Sequence, residues 1–75
     1  MLKVAVVGVG GISGAHIPAW EEMKDAELVA LCDIRPERME KYEGKRCYTD
    51  IDELLKNEEL DILDISYIPK YLILK

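Results

Sequence analysis

The sequence predicts an α/β fold in which a parallel β-sheet is built from βαβ crossovers. Short apolar runs alternate along the chain with segments of helical periodicity, as expected for such crossovers. The first apolar run ends in a glycine-rich turn, and the second ends at an acidic residue. The 75 residues form one small domain at most, and a domain of this size buries only about 60% of its unfolded surface.

The first strand and helix are predicted from their apolar patterns. Leu2–Val7 is an apolar run interrupted only by Lys3, which is typical of a parallel strand covered on both faces. A helix is predicted over Ile12–Met23, with its apolar positions three or four residues apart and therefore on one face. These positions are Ile12, Ala15, Ala19 and Met23.

A proline lies inside this first helix. The ring of Pro18 would press on the carbonyl group of Gly14, four residues earlier. We therefore expect a local kink in the helix at this point.

The second strand and a short second helix follow. Leu28–Cys32 is the predicted strand, and Asp33 ends it. Pro36 suits the first turn of a helix over Glu37–Glu43, because its ring fixes φ and its missing N–H is not needed there. Gly44 suits the C-terminal cap of that helix.

Three further elements are predicted in the second half. Arg46–Tyr48 is a brief third strand, and Thr49 with Asp52 resembles a capping box that opens a helix ending at Lys56. Asp61–Ile65 is the next strand.

The last residues are predicted to begin another helix, over Lys70–Lys75, after Pro69 interrupts the pattern. This segment ends the chain in apolar residues that a finished domain would bury. We therefore expect the chain to be an N-terminal piece of a larger protein.

Composition excludes several classes of function. The net charge of −5 argues against a nucleic-acid or anionic-membrane partner, because both need a basic surface. No apolar stretch approaches the roughly 20 residues of a membrane span, and no signal peptide precedes the first strand, so we expect a cytoplasmic protein. Cys32 and Cys47 have neither metal-binding nor redox-motif spacing, which predicts two free thiols and no metal site.

The glycine turn has the features of a dinucleotide phosphate site. Gly8 would make the tight turn out of the strand, and Gly10 would let the backbone approach the pyrophosphate. Ser13 takes the third position, where a small residue lets the helix pack on the strand. The pattern is therefore typical of a Rossmann-like sheet, against the alternative that the glycines only make a turn.

Two other kinds of phosphate site do not fit. A P-loop requires a lysine after the glycines, and none is present. Val7 stands where adenosylmethionine sites commonly have an acidic residue.

An acidic residue at the end of the second strand predicts the choice of cofactor. Asp33 follows Ser13 at the spacing of about 20 residues typical of a carboxylate that binds the adenosine ribose hydroxyls. Its charge would repel a 2′-phosphate, which favours NAD over NADP. Arg35 weakens this inference, because a nearby arginine can accept that phosphate; the alternative is a solvated residue at a helix start. NADP therefore remains possible.

The chain resembles the N-terminal domain of the glucose–fructose oxidoreductase and inositol dehydrogenase family, Gfo/Idh/MocA. The segments that carry the resemblance are 8–19, 28–38, 48–55 and 60–65, in the family's order. The resemblance implies an NAD(P)-dependent oxidoreductase that transfers hydride between the nicotinamide and a sugar, an inositol or a related polyol. It also implies a second, α/β substrate domain and a homo-oligomer.

The resemblance also implies which residues contact the cofactor. The glycine turn would line the pyrophosphate, and the loop after the second strand would face the adenosine ribose. The predicted cofactor-binding residues are Gly8, Val9, Gly10, Gly11, Ile12, Asp33, Ile34 and Arg35. His16 matches a histidine frequent in the family's first helix, and a packed, hydrogen-bonded role is more common for such a residue than a catalytic one.

The chain departs from the family after Ile65. The family usually continues with a Thr-Pro pair and then a histidine, whereas here Pro69 comes about one place late and no histidine follows. One hypothesis is that residues 66–75 are not the natural continuation, through truncation or a frameshift.

The family's catalytic lysine, in a Glu-Lys-Pro motif, is absent, so no catalytic residue is assigned. We expect residues 1–75 to be the first half of a dinucleotide-binding domain, without the substrate domain and inactive alone. The alternative is a non-catalytic, dinucleotide-responsive or self-associating module, because an incomplete sheet has an unpaired edge.

Overall fold

A computed structural model of the chain describes residues 1–10, 13–42, 44–65 and 70–73. A five-stranded sheet has the strand order β3-β2-β1-β4-β5. The strands are β1 Leu2–Val7, β2 Ala26–Cys32, β3 Arg46–Tyr48, β4 Ile62–Ile65 and β5 Lys70–Ile73; the helices are α1 Ser13–Glu22 and α2 Ile51–Asn57, with a 3₁₀ helix at Pro36–Arg38. Strands β1 to β4 are mutually parallel, which confirms the predicted α/β fold with βαβ crossovers.

The order of the strands places the predicted site beyond the carboxyl ends of the central strands. The chain runs outward from β1 to β2 and β3, and then returns to place β4 on the other side of β1. In open sheets of this kind, ligands bind beyond the carboxyl ends of the strands at the point where the order reverses. The glycine turn follows β1 there, and Asp33 follows β2 at the same edge.

Each face of the sheet has its own apolar core. The core against α1 contains Val4, Val6, Val9, Ile17, Ala26, Leu28, Leu31 and Met39. The core against α2 contains Ala5, Val7, Val29, Ala30, Cys32, Leu54 and Leu63. Helices on both faces explain why β1 and β2 are almost continuously apolar.

An irregularity in β2 explains why two successive residues enter the same core. Val4 pairs with Leu28 and Ala5 pairs with Ala30, so Val29 is an extra residue in β2. Such a bulge interrupts the alternation of side chains between the two faces. Val29 and Ala30 therefore both pack on the α2 side.

The buried face of α1 differs from the predicted one. Ile17 is fully buried and Trp20 is half-buried, whereas Ala19 and Met23 are exposed. The larger side chains remove more apolar area from water, which favours this orientation. Ile12 and the side chain of Ala15 lie outside the described part of the chain. The helix itself and its internal Pro18 are as predicted to within one residue at each end, and the kink stays a prediction.

A buried carboxylate sets the orientation of α1. Asp64, in β4, is fully buried, and its Oδ2 accepts a hydrogen bond from Trp20 Nε1 at 2.8 Å and lies 2.9 Å from His16 Nδ1. Its Oδ1 has no hydrogen-bond partner among the described residues. A buried polar group is costly unless it is hydrogen-bonded, so these contacts favour the position of α1 against β4. His16 therefore has the packed, hydrogen-bonded position expected of it.

The predicted helix over Glu37–Glu43 is wrong. The chain makes only the 3₁₀ helix Pro36–Arg38 and then turns, with Met39 N–H bonded to the Pro36 carbonyl at 3.0 Å and Tyr42 N–H to the Met39 carbonyl at 3.1 Å. These bonds span three residues, and burial of Met39 in the α1 core keeps the segment close to the sheet. Gly44 has a positive φ of 82°, as a chain reversal requires, but it does not cap a helix; Glu43 lies outside the described residues.

The cap of α2 is also corrected. Asp50, not Thr49, is the N-cap, and its side chain accepts a hydrogen bond from the Asp52 N–H at 3.1 Å. A carboxylate also interacts favourably with the positive end of the helix, an advantage that threonine lacks.

Residues Lys70–Ile73 form a strand where a helix over Lys70–Lys75 was predicted. Residues Lys70–Ile73 pair antiparallel with β4, because the free edge of β4 offers backbone groups that need partners. Pro69 lies outside the described residues. The predictions of β3 and β4 are confirmed to within one residue. None of the helices in the described residues is long and apolar enough to cross a membrane.

The contact between Trp20 and Asp64 yields a first prediction. Trp20→Phe keeps the aromatic packing but removes the indole N–H from a buried carboxylate, and we expect a loss of about 1–3 kcal/mol in the free energy of unfolding. Urea denaturation measures this loss. Met23→Leu, at an exposed position just after α1, should change the free energy by less than about 0.5 kcal/mol. Equal effects of the two substitutions would contradict the anchoring role of Asp64.

Candidate functional site

The glycine turn leaves β1 beside the end of β2. Gly8 has a φ of +88°, a conformation that residues with a side chain rarely adopt. Its N–H donates to the Cys32 carbonyl at 2.8 Å, which joins the start of the turn to the last residue of β2. The tight turn predicted for Gly8 therefore has a backbone reason that only glycine meets without strain.

The carboxylate of Asp33 connects the turn to the loop after β2. Its Oδ2 accepts the Val9 N–H at 2.8 Å, and its Oδ1 accepts the Arg35 N–H at 2.9 Å. The N–H of Asp33 itself donates to the Tyr48 carbonyl in β3 at 3.0 Å. Asp33 is only 5% exposed, so these bonds replace most of its contact with water.

The charge of Asp33 is favoured by its surroundings. Burial alone would raise the pKa of its carboxyl group, but the N–H groups of Arg35 and Val9 and the guanidinium of Arg38 outweigh burial and lower it. The group is therefore ionised at neutral pH, and the site contains a fixed negative charge.

A second charged residue, Arg38, lies over this part of the site. Its Nη1 is 3.7 Å from Asp33 Oδ2, and its side chain is 44% exposed. A Cβ atom built on Gly10 would lie 2.9 Å from the same Nη1, so the guanidinium rests directly on the open side of Gly10. Any side chain at Gly10 would have to displace Arg38.

These groups enclose a cavity of about 490 Å³. It lies between the glycine turn, the loop after β2 and the start of α2, and its lining includes Gly8, Gly10, Asp33, Ile34, Arg38 and Asp50. The volume is within the range of about 300–1,000 Å³ that is usual for small-molecule sites.

The structure brings together four of the residues predicted to bind a cofactor: Gly8, Gly10, Asp33 and Ile34. Val9 is buried and takes part through its N–H, which Asp33 holds. Arg35 is exposed and contacts Asp33 through its backbone N–H. Gly11 and Ile12 lie outside the described residues.

Arg38 and residues 49–51 also line the cavity, although they were not among the predicted site residues. Residues 49–51 follow β3, and the carboxyl ends of β1, β2 and β3 lie on the same side of the sheet. Their position directly after a parallel strand could therefore have predicted that they line the cavity. The helix predicted over Glu37–Glu43 gave no reason to place the Arg38 side chain beside the glycine turn, so its position in the site was not predicted.

Within the described ranges, no group of three or more histidine, cysteine or acidic side chains lies close enough to hold a metal ion. Both cysteines are free: Cys32 is buried and Cys47 is exposed.

A family model described as the oxidoreductase family with an NAD-binding Rossmann fold matches residues 2–71. The D-apiose dehydrogenase of Paraburkholderia graminis is 38% identical over 68 residues, which are 85% of this chain and 18% of that protein. The glucose-6-phosphate 3-dehydrogenase of Bacillus subtilis is 36% identical over 62 residues, 79% of this chain and 18% of that protein. The chain therefore spans about a fifth of the length of these curated relatives.

The fold is also found in solved structures. The WlbA dehydrogenase of Bordetella pertussis, crystallised with NADH and UDP-GlcNAcA, matches with a TM-score of 0.78 and 33% identity. The match covers 87% of this chain and 21% of that one.

The lowered pKa of Asp33 predicts a pH-dependent contribution to stability. A carboxyl group whose pKa is lower in the folded state stabilises the fold above its unfolded pKa, about 3.9, and loses that effect as pH falls through the folded value. We expect Asp33→Asn to reduce the free energy of unfolding by about 1–3 kcal/mol at pH 7, and by progressively less below about pH 4.

Urea denaturation of both proteins between pH 7 and pH 2.5 measures this difference. Asp25→Asn, at an exposed position before β2, controls for the loss of one negative charge. An equally large, pH-dependent loss in Asp25→Asn would contradict the role given to Asp33.

Proposed function

The chain belongs to the oxidoreductase family with the NAD-binding Rossmann fold, and from this premise we propose that it supplies the NAD-binding part of a dehydrogenase acting on a sugar, an inositol or a related polyol. The observation that carries the proposal is the cavity in which the glycine turn and Asp33 meet. We assign the adenosine and pyrophosphate half of NAD to this cavity.

The ribose is assigned to Asp33 because its carboxylate has unused acceptor capacity. Two oxygens offer about four lone-pair sites, and the N–H groups of Val9, Arg35 and Gly10 take three of them. A hydroxyl group of the adenosine ribose is a donor that fits the remaining site. The ionised carboxylate also repels an added 2′-phosphate, which favours NAD.

The pyrophosphate is assigned to the turn, above Gly10. Gly10 has no side chain, and the guanidinium of Arg38 lies over it, so a phosphate group bound at the turn would meet a positive charge there. Phosphate groups bind well where backbone N–H groups and a guanidinium are both available.

Chemistry is assigned to the complete enzyme. Bound NAD supplies the hydride acceptor, and the residues of this chain bind and orient it. We propose that the 75 residues are the N-terminal part of a dinucleotide-binding domain, and that the substrate domain and the catalytic groups belong to the rest of a longer protein. The names of two relatives, which refer to D-apiose and glucose 6-phosphate, support the proposed substrate class. We expect that protein to be a cytoplasmic homo-oligomer.

The edge strand β3 gives little support to the alternative of a self-associating module. That strand has three residues, and Arg46 within it binds both carboxylate oxygens of Glu58. Short edge strands with charged side chains resist pairing with another chain.

Two glycine substitutions distinguish a change in the affinity for NAD from a change in the stability of the fold. Gly10 does not have a positive φ, and the three atoms nearest to a Cβ there all belong to the flexible side chain of Arg38. Gly10→Ala should therefore stay within about 1 kcal/mol of the wild-type free energy of unfolding. Its methyl group would displace the guanidinium of Arg38 from the surface given to the pyrophosphate, so we expect the affinity for NAD to fall at least about tenfold, measured by calorimetry.

Gly44→Ala is the matched control. Its φ of +82° strains any other residue, while no atom lies within 4 Å of the added Cβ. We expect a loss of about 1–2 kcal/mol in stability and unchanged affinity of the folded protein for NAD. Absence of NAD binding by the wild-type chain, or equal affinities in wild type and Gly10→Ala, would overturn the proposed site.

A further inference from the structure

His16 and Asp64 form a pair that joins α1 to β4. His16 Nδ1 lies 2.9 Å from Asp64 Oδ2, and Trp20 Nε1 donates to the same oxygen at 2.8 Å. The Asp64 side chain is fully buried, whereas 20% of the His16 side chain is exposed. The pair therefore combines a buried carboxyl group with an imidazole ring that can exchange protons with the solvent.

The pair lies close to the glycine turn. The described part of α1 begins at Ser13, so His16 lies about 4.5 Å along the helix axis from that residue. Side chains of a helix lean toward its N-terminus, which is the end next to the turn. Asp64 pairs with Val6, two residues before Gly8, and is therefore near the carboxyl ends of β1 and β4. The pair thus belongs to the end of the sheet to which the pyrophosphate is assigned.

We propose that the His16–Asp64 pair is a proton-binding site that regulates the affinity of the glycine turn for the diphosphate of NAD. This regulation rests on the proposed function, because it takes the pyrophosphate to lie at the turn. Whichever of the two residues holds it, an added proton makes the pair more positive by one charge. The diphosphate is negatively charged, so it binds more tightly beside the protonated pair. By reciprocity, binding of NAD takes up protons.

His16 is the residue that makes this effect occur near neutral pH. Histidine is the side chain that ordinarily changes its charge between about pH 5 and pH 8, and His16 is the only histidine in the sequence. A neutral imidazole can donate Nδ1–H to Asp64 just as a protonated one does. Proton uptake therefore changes the charge of the pair while the contact between α1 and β4 stays in place.

The charged groups of α1 and β1 do not titrate in this range. Glu21 forms an ion pair with Lys45, with 3.3 Å between Oε2 and Nζ, and Glu22 is the last residue of α1. Lys3 lies near the amino end of β1, far from the turn. Carboxyl groups ordinarily titrate near pH 4 and lysine near pH 10.

The neighbouring groups at the carboxyl ends and in β5 also keep their charge. The lowered pKa of Asp33 leaves it ionised, and Arg38 beside it stays protonated. In β5, Tyr71 is the register partner of Asp64, and Lys70 is that of Ile65. Tyrosine and lysine ordinarily titrate near pH 10. A pH effect between about pH 6 and pH 7.5 is therefore expected to come from His16.

Calorimetric titration of the wild-type chain with NAD at about pH 6 and about pH 7.5 tests this regulation. We expect the affinity to be at least about twofold higher at the lower pH. Repeating the titration at about pH 6.5 in two buffers of different ionisation enthalpy measures proton uptake, which should be a fraction of one proton per NAD bound. Added salt should weaken the pH dependence, because charge interactions are screened. A purely structural role of His16 would produce no proton uptake.

His16→Asn keeps an amide donor near the position of Nδ1 but cannot take up a proton. We expect its affinities at the two pH values to agree within about 1.3-fold, without proton uptake. Trp20→Phe is the matched control, because it removes the other donor from the same Asp64 oxygen and leaves His16 in place. It should keep both the pH dependence and the proton uptake. Circular dichroism checks that each variant is folded, and the proton uptake of the wild-type chain decides the matter without any variant.

The outcomes distinguish this regulation from the proposed function. If the wild-type chain binds NAD at neither pH, the proposed function fails and the regulation fails with it. If the wild-type chain binds NAD with equal affinity at both pH values and without proton uptake, the role of the pair is overturned while the NAD site stands. Proton uptake that persists in His16→Asn, or is lost in Trp20→Phe, would also overturn it.

Discussion

The hydrogen bonds of one buried carboxylate determine the form of the cavity. Asp33 accepts the N–H of Val9 from the glycine turn and the N–H of Arg35 from its own loop. Removing a charge from water is costly unless donors replace the water, and these bonds compensate the burial of Asp33. The turn after β1 and the loop after β2 are consequently fixed relative to each other, and the space between them has a defined shape.

A second buried acidic residue connects α1 to β4. Asp64 in β4 binds Trp20 and approaches His16, and both belong to the helix that follows the glycine turn. The chain on either side of the turn is thus attached to a different neighbour of β1: to β2 through Asp33, and to β4 through α1. The proposed phosphate site is made mainly of backbone groups, and it needs such support because backbone donors have no side-chain freedom with which to adjust.

The local sequence pattern was sufficient to predict most strands of the sheet and part of the candidate site. β-branched apolar runs predicted the strands, and the spacing of Asp33 from the turn placed it correctly at the cavity. The helix predicted after Pro36 was wrong because proline and glycine signals suit a tight turn as well as a helix. The buried face of α1 depends on Asp64, which lies more than 40 residues away, and the position of Arg38 depends on that turn. Neither follows from local periodicity.

If the carboxyl ends of β1 and β2 hold the dinucleotide, as proposed, amide NMR spectra during a titration with NAD show it most directly. The largest shifts should occur at the N–H groups of Val9, Gly10 and Arg35, which surround the Asp33 carboxylate. The N–H groups of Lys3 and Glu27, near the amino ends of the same strands, should hardly move. Shifts concentrated at Lys3 and Glu27, or no shifts at NAD concentrations of about 5 mM, above the usual range for such ligands, would contradict it.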